Sequence, residues 1–338
     1  MKWVQWSSND LKSGLGGVEV HARALDREFK KLGVESSLSS SAEVLDSAFS
    51  SKDLTIVHTH GSASLPWRTA RKLKNQGVVL VHTLHGSTLG RMQACKEWLW
   101  PGGYAAYLRE WKGVFYADLV LGVHPDIHFL DVAQKLRKRV AVCSNGWDHA
   151  SEAETKETSA ISAALHQKIP EFGPYFCFVG RGNDQMKNTQ FLCELLNKDN
   201  ELKIVAIPGE GFPDSSRVLK TGRLTGGAIA EVLKKSKGLL LSSHYEGLPL
   251  VVLEALGHGV PVLSTSAGGM HTLPENLQNL YILPLKHENW IARIHESLIQ
   301  VVDSEQSAAV NRSLLPTWKQ VAEIALHEVQ ALAKSDRS

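Results

Sequence analysis

Short apolar runs rich in β-branched residues alternate with helix-like segments along both halves of the chain. The predicted strands of the first half are KWVQW (2–6), LTIVHTH (54–60), VVLVHTL (78–84), DLVLGV (118–123) and RVAVCS (139–144). Those of the second half are YFCFVG (175–180), LKIVAI (202–207), GLLLSS (238–243) and VPVLST (260–265). This alternation is typical of βαβ units that build a parallel sheet covered by helices. It predicts an α/β fold made of two facing, Rossmann-like, doubly wound domains.

The segment VEVHARALDREFKKLG (18–33) shows the helical pattern most clearly. Apolar residues recur at helical spacing between Val18 and Leu32, so one face of the helix would be buried. Gly33 follows as the residue expected to end the helix.

The length of 338 residues exceeds what one hydrophobic core usually supports, which predicts two domains. Residues 151–168 are small and polar and are followed by prolines and a glycine, a composition typical of a domain junction. We therefore divide the chain into a first domain (1–150), a linker (151–174), a second domain (175–313) and a C-terminal helical segment (314–338).

Composition excludes several classes of protein. No run approaches the roughly 20 apolar residues that span a bilayer, and no apolar region precedes a cleavage site near the N-terminus, so we expect a cytoplasmic protein. Cys95, Cys143, Cys177 and Cys193 are scattered, without the spacing of a zinc site or a disulfide framework. The net charge of +2 is unevenly distributed, because residues 1–150 hold 19 Lys and Arg against 14 Asp and Glu. That excess is too small to indicate nucleic acid, although it could favour an anionic lipid surface or a phosphorylated substrate.

A glycine-rich loop, SGLGGVEVH (13–21), separates the first strand from the first helix. Gly16 and Gly17 would let the backbone approach a ligand where the helix N-terminus attracts an anion. The spacing fits neither the dinucleotide fingerprint nor the P-loop, and a simple tight turn is the alternative.

Two cations lie in the loop FVGRGNDQMKN (178–188), beyond the first strand of the second domain. Arg181 can bind a phosphate through two parallel hydrogen bonds, and Lys187 can act as a point charge, so the pair could hold a diphosphate. Two solvated surface cations are the alternative.

The stretch SSHYEGLPLVVLEALGHG (242–259) places two carboxylates around the start of an apolar helix. Pro249 suits the first turn of that helix, and the backbone of Gly247 and Leu248 could donate to a ligand oxygen. Glu254 could project toward the same place as Glu246, where both would accept hydrogen bonds from vicinal hydroxyls. The alternative is that Glu254 marks a narrow solvated stripe.

Together these motifs resemble the retaining, nucleotide-sugar-dependent glycosyltransferases with the GT-B fold, often called family four. YEGLPLVVLEALGHGVPVLSTSAGG is similar to the signature of that family, and FVGRGNDQMKN to its phosphate-binding segment. SGLGGVEVHARAL, TLHGS, ADLVLGV and SNGWD follow its N-terminal motifs in order. The turn GLP after Glu246 departs from the Gly-Phe-Gly type of many relatives, which leaves the sugar open.

The resemblance implies a role for each matching residue. Glu246 would contact hydroxyls of the donor sugar, while the backbone from Gly247 through Leu248 to Pro249 would hold the sugar and the distal phosphate. Glu254 would bind the ribose, and Leu224 would lie in the wall of the base pocket. The remaining roles go to Arg181 and Lys187 at the diphosphate, His85 near the reacting carbon, and Gly16 with Gly17 against the phosphates.

The implied reaction is transfer of a sugar with retention, from a nucleoside-diphosphate sugar to a glycan or lipid-linked acceptor in surface polysaccharide or lipopolysaccharide synthesis. We expect a UDP-sugar rather than a GDP-sugar, no cofactor and no metal, because two cations and helix N-termini would neutralise the diphosphate. The resemblance also implies that the C-terminal helical segment bridges the two domains. A hydrolase or nucleotide-sugar epimerase on the same fold is one alternative, and a non-catalytic sugar-nucleotide-binding partner of another transferase is a second.

The acceptor side is less defined by the sequence. WLWPGGYAAYLREWKGVFYADL (98–119) combines three tryptophans and three tyrosines with Arg109 and Lys112. Such a segment could bind the face of a sugar, lie in a lipid interface as a peripheral membrane contact at the inner face of the membrane, or form an ordinary surface helix.

Overall fold

The computed structural model describes residues 1–12, 14, 16–41, 45, 54–148, 163–300 and 303–335. The chain forms two compact units, one made of residues 1–146 and 316–338 and the other of residues 147–315.

A six-stranded parallel sheet forms the centre of the first unit. Its strands are β1 (Lys2–Trp6), β2 (Glu35–Ser39), β3 (Thr55–His60), β4 (Val79–Leu84), β5 (Leu119–Gly122) and β6 (Arg139–Val142), in the order β2-β1-β3-β4-β5-β6. The register pairs Val4 with Val57, and Val57 with Leu80. These apolar residues are buried with Leu73, because strands covered by helices lose their solvent contact.

The helices described in the first unit are α1 (Gly17–Lys31), α2 (Trp67–Asn75), α3 (Thr88–Ala94), α4 (Pro101–Tyr116), α5 (His128–Lys135) and α12 (Trp318–Ser335). At the end of α1, Gly33 adopts φ +77°, and the Val34 N–H donates to the Phe29 carbonyl at 2.9 Å. This is the glycine-terminated ending that the sequence predicts.

The second unit repeats the architecture with its own parallel sheet. Its strands are β7 (Phe176–Val179), β8 (Ile204–Ile207), β9 (Val218–Lys220), β10 (Leu239–Leu241), β11 (Val262–Ser264) and β12 (Leu280–Ile282), in the order β12-β11-β10-β7-β8-β9. The helices described around it are α6 (Ala163–Phe172), α7 (Thr189–Lys198), α8 (Gly226–Lys234), α9 (Leu250–Gly257), α10 (His287–Ile299) and α11 (Ser304–Leu314). Phe176, Phe178, Leu195 and Trp290 are buried together in its core.

All nine predicted strands are present, and the described residues contain three further strands that the sequence pattern missed. β2 has the sequence ESSLS, which is too polar to be recognised as a strand, and lies at one edge of its sheet. β9 and β12 are three-residue edge strands. Short or polar strands at an edge bury little apolar surface, so their sequences carry little hydrophobic signal.

The predicted domain limits differ in detail from the observed units. Residues 151–162 of the predicted linker (151–174) lie outside the described part of the chain, whereas 163–172 form helix α6. The final helix, α12, packs against α1 and β5 of the first unit. In that unit Arg139 Nε lies 2.5 Å from Glu328 Oε2. That α12 also bridges the domains stays a prediction.

Candidate functional site

The order of strands reverses once within each sheet. In the second unit the reversal lies between β7 and β10, and in the first unit between β1 and β3. Open parallel sheets bind ligands beyond the carboxyl ends of the strands at such a switch point. The loops at 180–188 and 242–249 leave β7 and β10, and the glycine-rich loop leaves β1.

Lys187 and Glu246 form an ion pair at the switch point of the second unit. Lys187 Nζ lies 2.7 Å from Glu246 Oε1, and the side chains are 15% and 8% exposed. The Ser243 hydroxyl donates to the same oxygen at 2.6 Å. Lys187, which the sequence analysis assigned to the diphosphate, is therefore in contact with Glu246, which it assigned to the donor sugar.

Hydrogen bonds connect the two loops that carry this pair. The Asn188 side-chain amide donates to the Ser242 carbonyl at 3.1 Å, and the Ser242 hydroxyl donates to the Asn188 carbonyl at 3.0 Å. The His244 N–H donates to the Met186 carbonyl at 2.7 Å. Asn188 adopts φ 48°, a left-handed conformation that asparagine tolerates better than most residues. These contacts fix the backbone on both sides of Lys187.

A third loop, which follows β11, lies against the turn after Glu246. The Gly269 N–H donates to the Gly247 carbonyl at 2.6 Å, and the Thr265 hydroxyl donates to the Ser243 carbonyl at 2.6 Å. Gly268 adopts φ +62°, and a Cβ atom there would lie 2.1 Å from the Glu246 carbonyl oxygen. Only glycine fits so close an approach, which explains the small-residue turn SAGG at 266–269.

Helix α9 begins immediately after the turn, with Pro249 as its N-cap. Leu248 is buried and anchors the turn. Glu254 lies within α9, partly exposed but surrounded by protein atoms, and this burial raises the pKa of its carboxyl group to about 7. Among the described residues, no side chain donates a hydrogen bond to Glu254. A desolvated carboxylate without a hydrogen-bond donor costs free energy, so the protonated form of Glu254 is favoured up to about pH 7.

Arg181 and Leu224 lie outside the Lys187–Glu246 cluster. Arg181 is 72% exposed, and its Nη2 lies 3.0 Å from Asp184 Oδ2. The other oxygen of Asp184 accepts from the Met186 N–H at 3.1 Å, so this carboxylate holds both Arg181 and the short 3₁₀ turn that ends at Lys187. Leu224 is partly exposed in the loop before α8.

In the first unit, Gly16 and Gly17 lie at the N-terminus of α1, where both are exposed. The Glu19 carboxylate occupies the space beside them, since a Cβ atom on Gly16 would lie 2.3 Å from Glu19 Oε2. Asn9 donates to Glu19 Oε1 at 3.2 Å. A carboxylate of the chain itself therefore lies at the positive end of this helix, where a bound anion is favoured.

His85 lies beyond β4 within a group of histidines that the sequence reasoning did not assemble. His60 Nδ1 is 3.3 Å from His85 Nε2, and the rings of His21 and His85 are 4.6 Å apart. The rings of His58 and His60 are tilted by 31°, with centroids 4.2 Å apart, and His82 lies on the neighbouring strand β4. A signal existed, because the HTH of β3 and the HTLH of residues 82–85 stand at the ends of neighbouring strands.

Polar side chains orient four of these rings. His82 Nδ1 lies 2.7 Å from the Thr59 hydroxyl. His21 Nδ1 is 2.8 Å from the Asn145 side-chain oxygen, and His60 Nε2 is 2.6 Å from the oxygen of Gln5. His58 Nε2 is 2.6 Å from the Thr83 hydroxyl.

Burial lowers the pKa of all five histidines, that of His21 and His82 to about 4, so they are neutral at pH 7. His21, His60 and His85 are the residues of the described chain that could hold a metal ion, since one ligand atom from each lies within 4.8 Å of the others.

Comparison with known proteins gives a match within the second unit. The family described as Glycosyl transferases group 1 matches residues 173–300, which all lie in that unit. A teichuronic acid biosynthesis glycosyltransferase of Bacillus subtilis, TuaC, is 30% identical over 108 residues. The match covers 28% of this chain, and the chain spans only 28% of the length of that relative.

Solved structures of similar fold cover nearly the whole chain. Sucrose-phosphate synthase from Thermosynechococcus elongatus gives a TM-score of 0.75 at 15% identity and covers 99% of each chain. HepE from Anabaena, solved in complex with UDP, gives 0.64 at 15% identity over 98% of this chain and 100% of its own. The α/β fold with two Rossmann-like units is thus the GT-B fold of these structures.

Proposed function

We propose that this protein transfers a sugar, with retention of configuration, from a UDP-sugar to a glycan or a lipid-linked acceptor during synthesis of a surface polysaccharide or lipopolysaccharide. The observation that carries the proposal is the 2.7 Å contact between Lys187 and Glu246 at the switch point of the glycosyl transferases group 1 domain. It brings a cation suited to a diphosphate and a carboxylate suited to sugar hydroxyls to the same loop ends. The expected place of action is the cytoplasmic side of a membrane.

The preference for a uridine nucleotide is supported by similarity alone. HepE has been solved with UDP and with UDP-glucose, and gives TM-scores of 0.64 and 0.60 against this chain. At 15% and 16% sequence identity, the likeness to HepE concerns the fold alone. The nucleotide base and the sugar that this chain would bind are therefore part of the proposal.

In the proposed complex the diphosphate replaces Glu246 as the partner of Lys187. Glu246 is then free to accept hydrogen bonds from the donor sugar, with Ser243 still holding one of its oxygens. Arg181 turns from Asp184 to the diphosphate, which its exposure permits, and Glu254 accepts from the ribose hydroxyls. In the proposed complex Leu224 lies in the wall of the pocket for the nucleotide base.

The proposed transfer breaks the bond between the anomeric carbon and the diphosphate oxygen and forms one to the acceptor oxygen on the same face of the sugar. The proton of the acceptor hydroxyl passes to the departing diphosphate. Lys187 and Arg181 stabilise the negative charge that develops there, which is the largest contribution in many such reactions. The proposal needs no metal, and His85, held by His60, would lie near the reacting carbon.

The experiment is a panel of UDP-, GDP- and ADP-sugars, scored by thermal shift and then by slow donor hydrolysis. We expect UDP-sugars to give the largest shift, and Glu246→Gln to lower hydrolysis roughly a hundredfold with little loss of nucleotide affinity. Glu231→Gln, in helix α8, is the matched control and should hydrolyse the donor like the wild type. Unchanged hydrolysis in Glu246→Gln would refute the role of Glu246.

An epimerase is the second candidate, because a UDP-N-acetylglucosamine 2-epimerase from Listeria monocytogenes shares the fold with a TM-score of 0.61 at 14% identity. The same panel separates the two functions. A transferase releases UDP and free sugar from the donor, whereas an epimerase would incorporate solvent deuterium at the sugar carbon next to the anomeric carbon.

A further inference from the structure

Helix α4 has an apolar stripe that faces solvent. Tyr104, Leu108, Trp111 and Phe115 recur at intervals of four, three and four residues, so they share one side of the helix. They are 51%, 65%, 42% and 44% exposed. The opposite side, which includes Ala106 and Val114, is the one that packs against the protein. This helix is therefore apolar on two sides, and the core accounts for only one.

The segment before α4 extends the stripe. Trp98, Leu99 and Trp100 are all exposed, Leu99 to 95%. The Tyr104 hydroxyl donates to the Trp98 carbonyl at 2.8 Å, and the Arg91 guanidinium lies 4.5 Å from the centre of the Trp100 ring. These contacts hold large apolar side chains at the surface instead of folding them inward.

Helix α2 lies beside α4 and contributes cations. The two helices pack against each other, and a small cavity between them is lined by Ala70 of α2 and by Lys112, Gly113 and Tyr116 of α4. The exposed residues of α2 include an aromatic ring and four basic side chains, namely Trp67, Arg68, Arg71, Lys72 and Lys74.

The segment from the start of α2 to the end of α4 carries a net positive charge. Residues 67–116 contain eight Lys and Arg and two Glu. Glu97 is paired with Arg91 at 2.9 Å, and Glu110 is buried, where it accepts from the Thr88 hydroxyl at 2.6 Å. Lys74 forms an ion pair with Asp118, which follows helix α4. The surface of this segment therefore presents cations and aromatic rings without an unpaired exposed carboxylate.

We propose that the exposed residues of α2, of 98–100 and of α4 form a docking face for an anionic lipid bilayer. Tryptophan and tyrosine favour the boundary between headgroups and acyl chains, and basic side chains beside them attract anionic lipids. No helix within the described residues is long and apolar enough to cross a membrane, so the contact is with the surface of the bilayer. The use of a lipid-linked acceptor is part of the function proposed above, and in that respect the docking face rests on that function.

Flotation of the purified full chain with lipid vesicles tests the docking face without donor or acceptor. We expect binding to vesicles of phosphatidylcholine with 30% phosphatidylglycerol and little binding to phosphatidylcholine alone. Arg68→Glu with Arg71→Glu should lower the partition coefficient at least about tenfold, since each basic residue near the surface contributes about 1 kcal/mol. Leu99→Ser with Leu108→Ser should lower it similarly, because both side chains are too exposed to support the fold.

Matched variants on the other unit serve as controls. Lys198→Glu with Lys235→Glu makes the same change in charge at exposed positions, and Ile299→Ser removes an apolar side chain that is 83% exposed. Both should bind vesicles like the wild type.

The docking face would be refuted if the control variants lost vesicle binding as much as the α2 and α4 variants do. Equal binding of the wild type to neutral and anionic vesicles would refute it as well. So would concentration-dependent self-association that the Leu99 and Leu108 variant abolishes, because a second copy would then be the occupant. Donor hydrolysis should stay unchanged in every variant, which keeps failure of this face distinct from failure of the proposed reaction.

Discussion

Lys187 and Glu246 are separated by 59 residues in the chain and by 2.7 Å in the structure. Both are largely buried, so each neutralises a charge that would otherwise be costly to desolvate. In the proposed complex the diphosphate replaces Glu246 at Lys187, so the lysine is never left without an anion. The pair thus stabilises the unliganded protein and keeps its two groups at the place where we expect them to act.

Removing one member of the pair should destabilise the second unit. Lys187→Ala leaves Glu246 without its cation, and we expect the free energy of unfolding to fall by about 2–3 kcal/mol, less than in a fully dry site because both groups keep some solvent contact. The measurement is urea denaturation. The double variant Lys187→Ala/Glu246→Ala should lose less than the sum of the single variants, and strict additivity would contradict the coupling.

Glu254 should make stability depend on pH. Its folded pKa of about 7 exceeds the ordinary 4.5, so the folded state holds a proton between these values that the unfolded state has lost. Stability attributable to this group is therefore present below pH 4.5 and decreases as the pH rises to 7. Glu254→Gln removes this effect, and should match the wild type at pH 4 and exceed it by about 1–2 kcal/mol at pH 8.

A functional readout accompanies that stability change. Glu254→Gln should also weaken binding of the nucleotide sugar, because glutamine accepts hydrogen bonds from hydroxyl groups less strongly than a carboxylate does. Chemical denaturation at the two pH values and titration with the donor measure both effects. A variant that is less stable than the wild type at pH 8 would show that a partner, and not solvent exclusion, determines the charge state of Glu254.

Among the elements, the loop after β11 acts as a support for the turn after β10. Gly268 lies so close to Glu246 that any side chain must displace one of the two loops. The turn therefore depends on a neighbouring strand as much as on its own sequence.

Gly268→Ala should move the Glu246 backbone and lower donor hydrolysis at least tenfold, with a loss of stability of about 1–3 kcal/mol. Gly33→Ala is the control, since Gly33 has a similar φ of +77° with nothing within 4 Å of the added Cβ atom. Gly33→Ala introduces the backbone strain without a steric clash, so donor hydrolysis by this variant should be unchanged. Normal hydrolysis in Gly268→Ala would show that the turn tolerates the shift.

Across the whole molecule, the five clustered histidines of the first unit, four of them buried and His85 partly exposed, should dominate the response to acid. Their folded pKa values lie below the ordinary 6.5, so the unfolded state binds more protons as the pH falls below that value. Stability is then complete above pH 6.5 and is lost toward pH 4, opposite in sign to the effect of Glu254.

Thermal unfolding between pH 7.5 and 4.5 checks this expectation. The melting temperature of the first unit should fall steeply below pH 6.5. Substitution of His58, which contacts Trp3 and Thr83, by glutamine should flatten the slope. A melting temperature independent of pH in this range would contradict the lowered pKa values, because the histidines would then bind protons equally in the folded and unfolded states.

Much of the fold was predictable because helix-covered strands are continuous apolar runs. The nine strands found in advance include the central pairs β1 with β3 and β7 with β10, which define the switch points. The polar edge strand β2 was not predictable in this way, since its serines do not distinguish it from a loop. The candidate site divided similarly, because Glu246 and Lys187 stand in recognisable motifs, whereas the grouping of His21 with His60 depends on how helix α1 packs beside strand β3.

The sequence by itself determined the alternation of strands and helices, the glycines that permit tight turns, and the loops that carry charged groups, because these depend on residues close together in the chain. Only the tertiary structure decided that Lys187 pairs with Glu246, and that Arg181 pairs instead with Asp184. It also decided that five histidines form one cluster in the first unit. Strand order sets those contacts. It follows from how apolar faces pack over the whole domain, which no local stretch of sequence specifies.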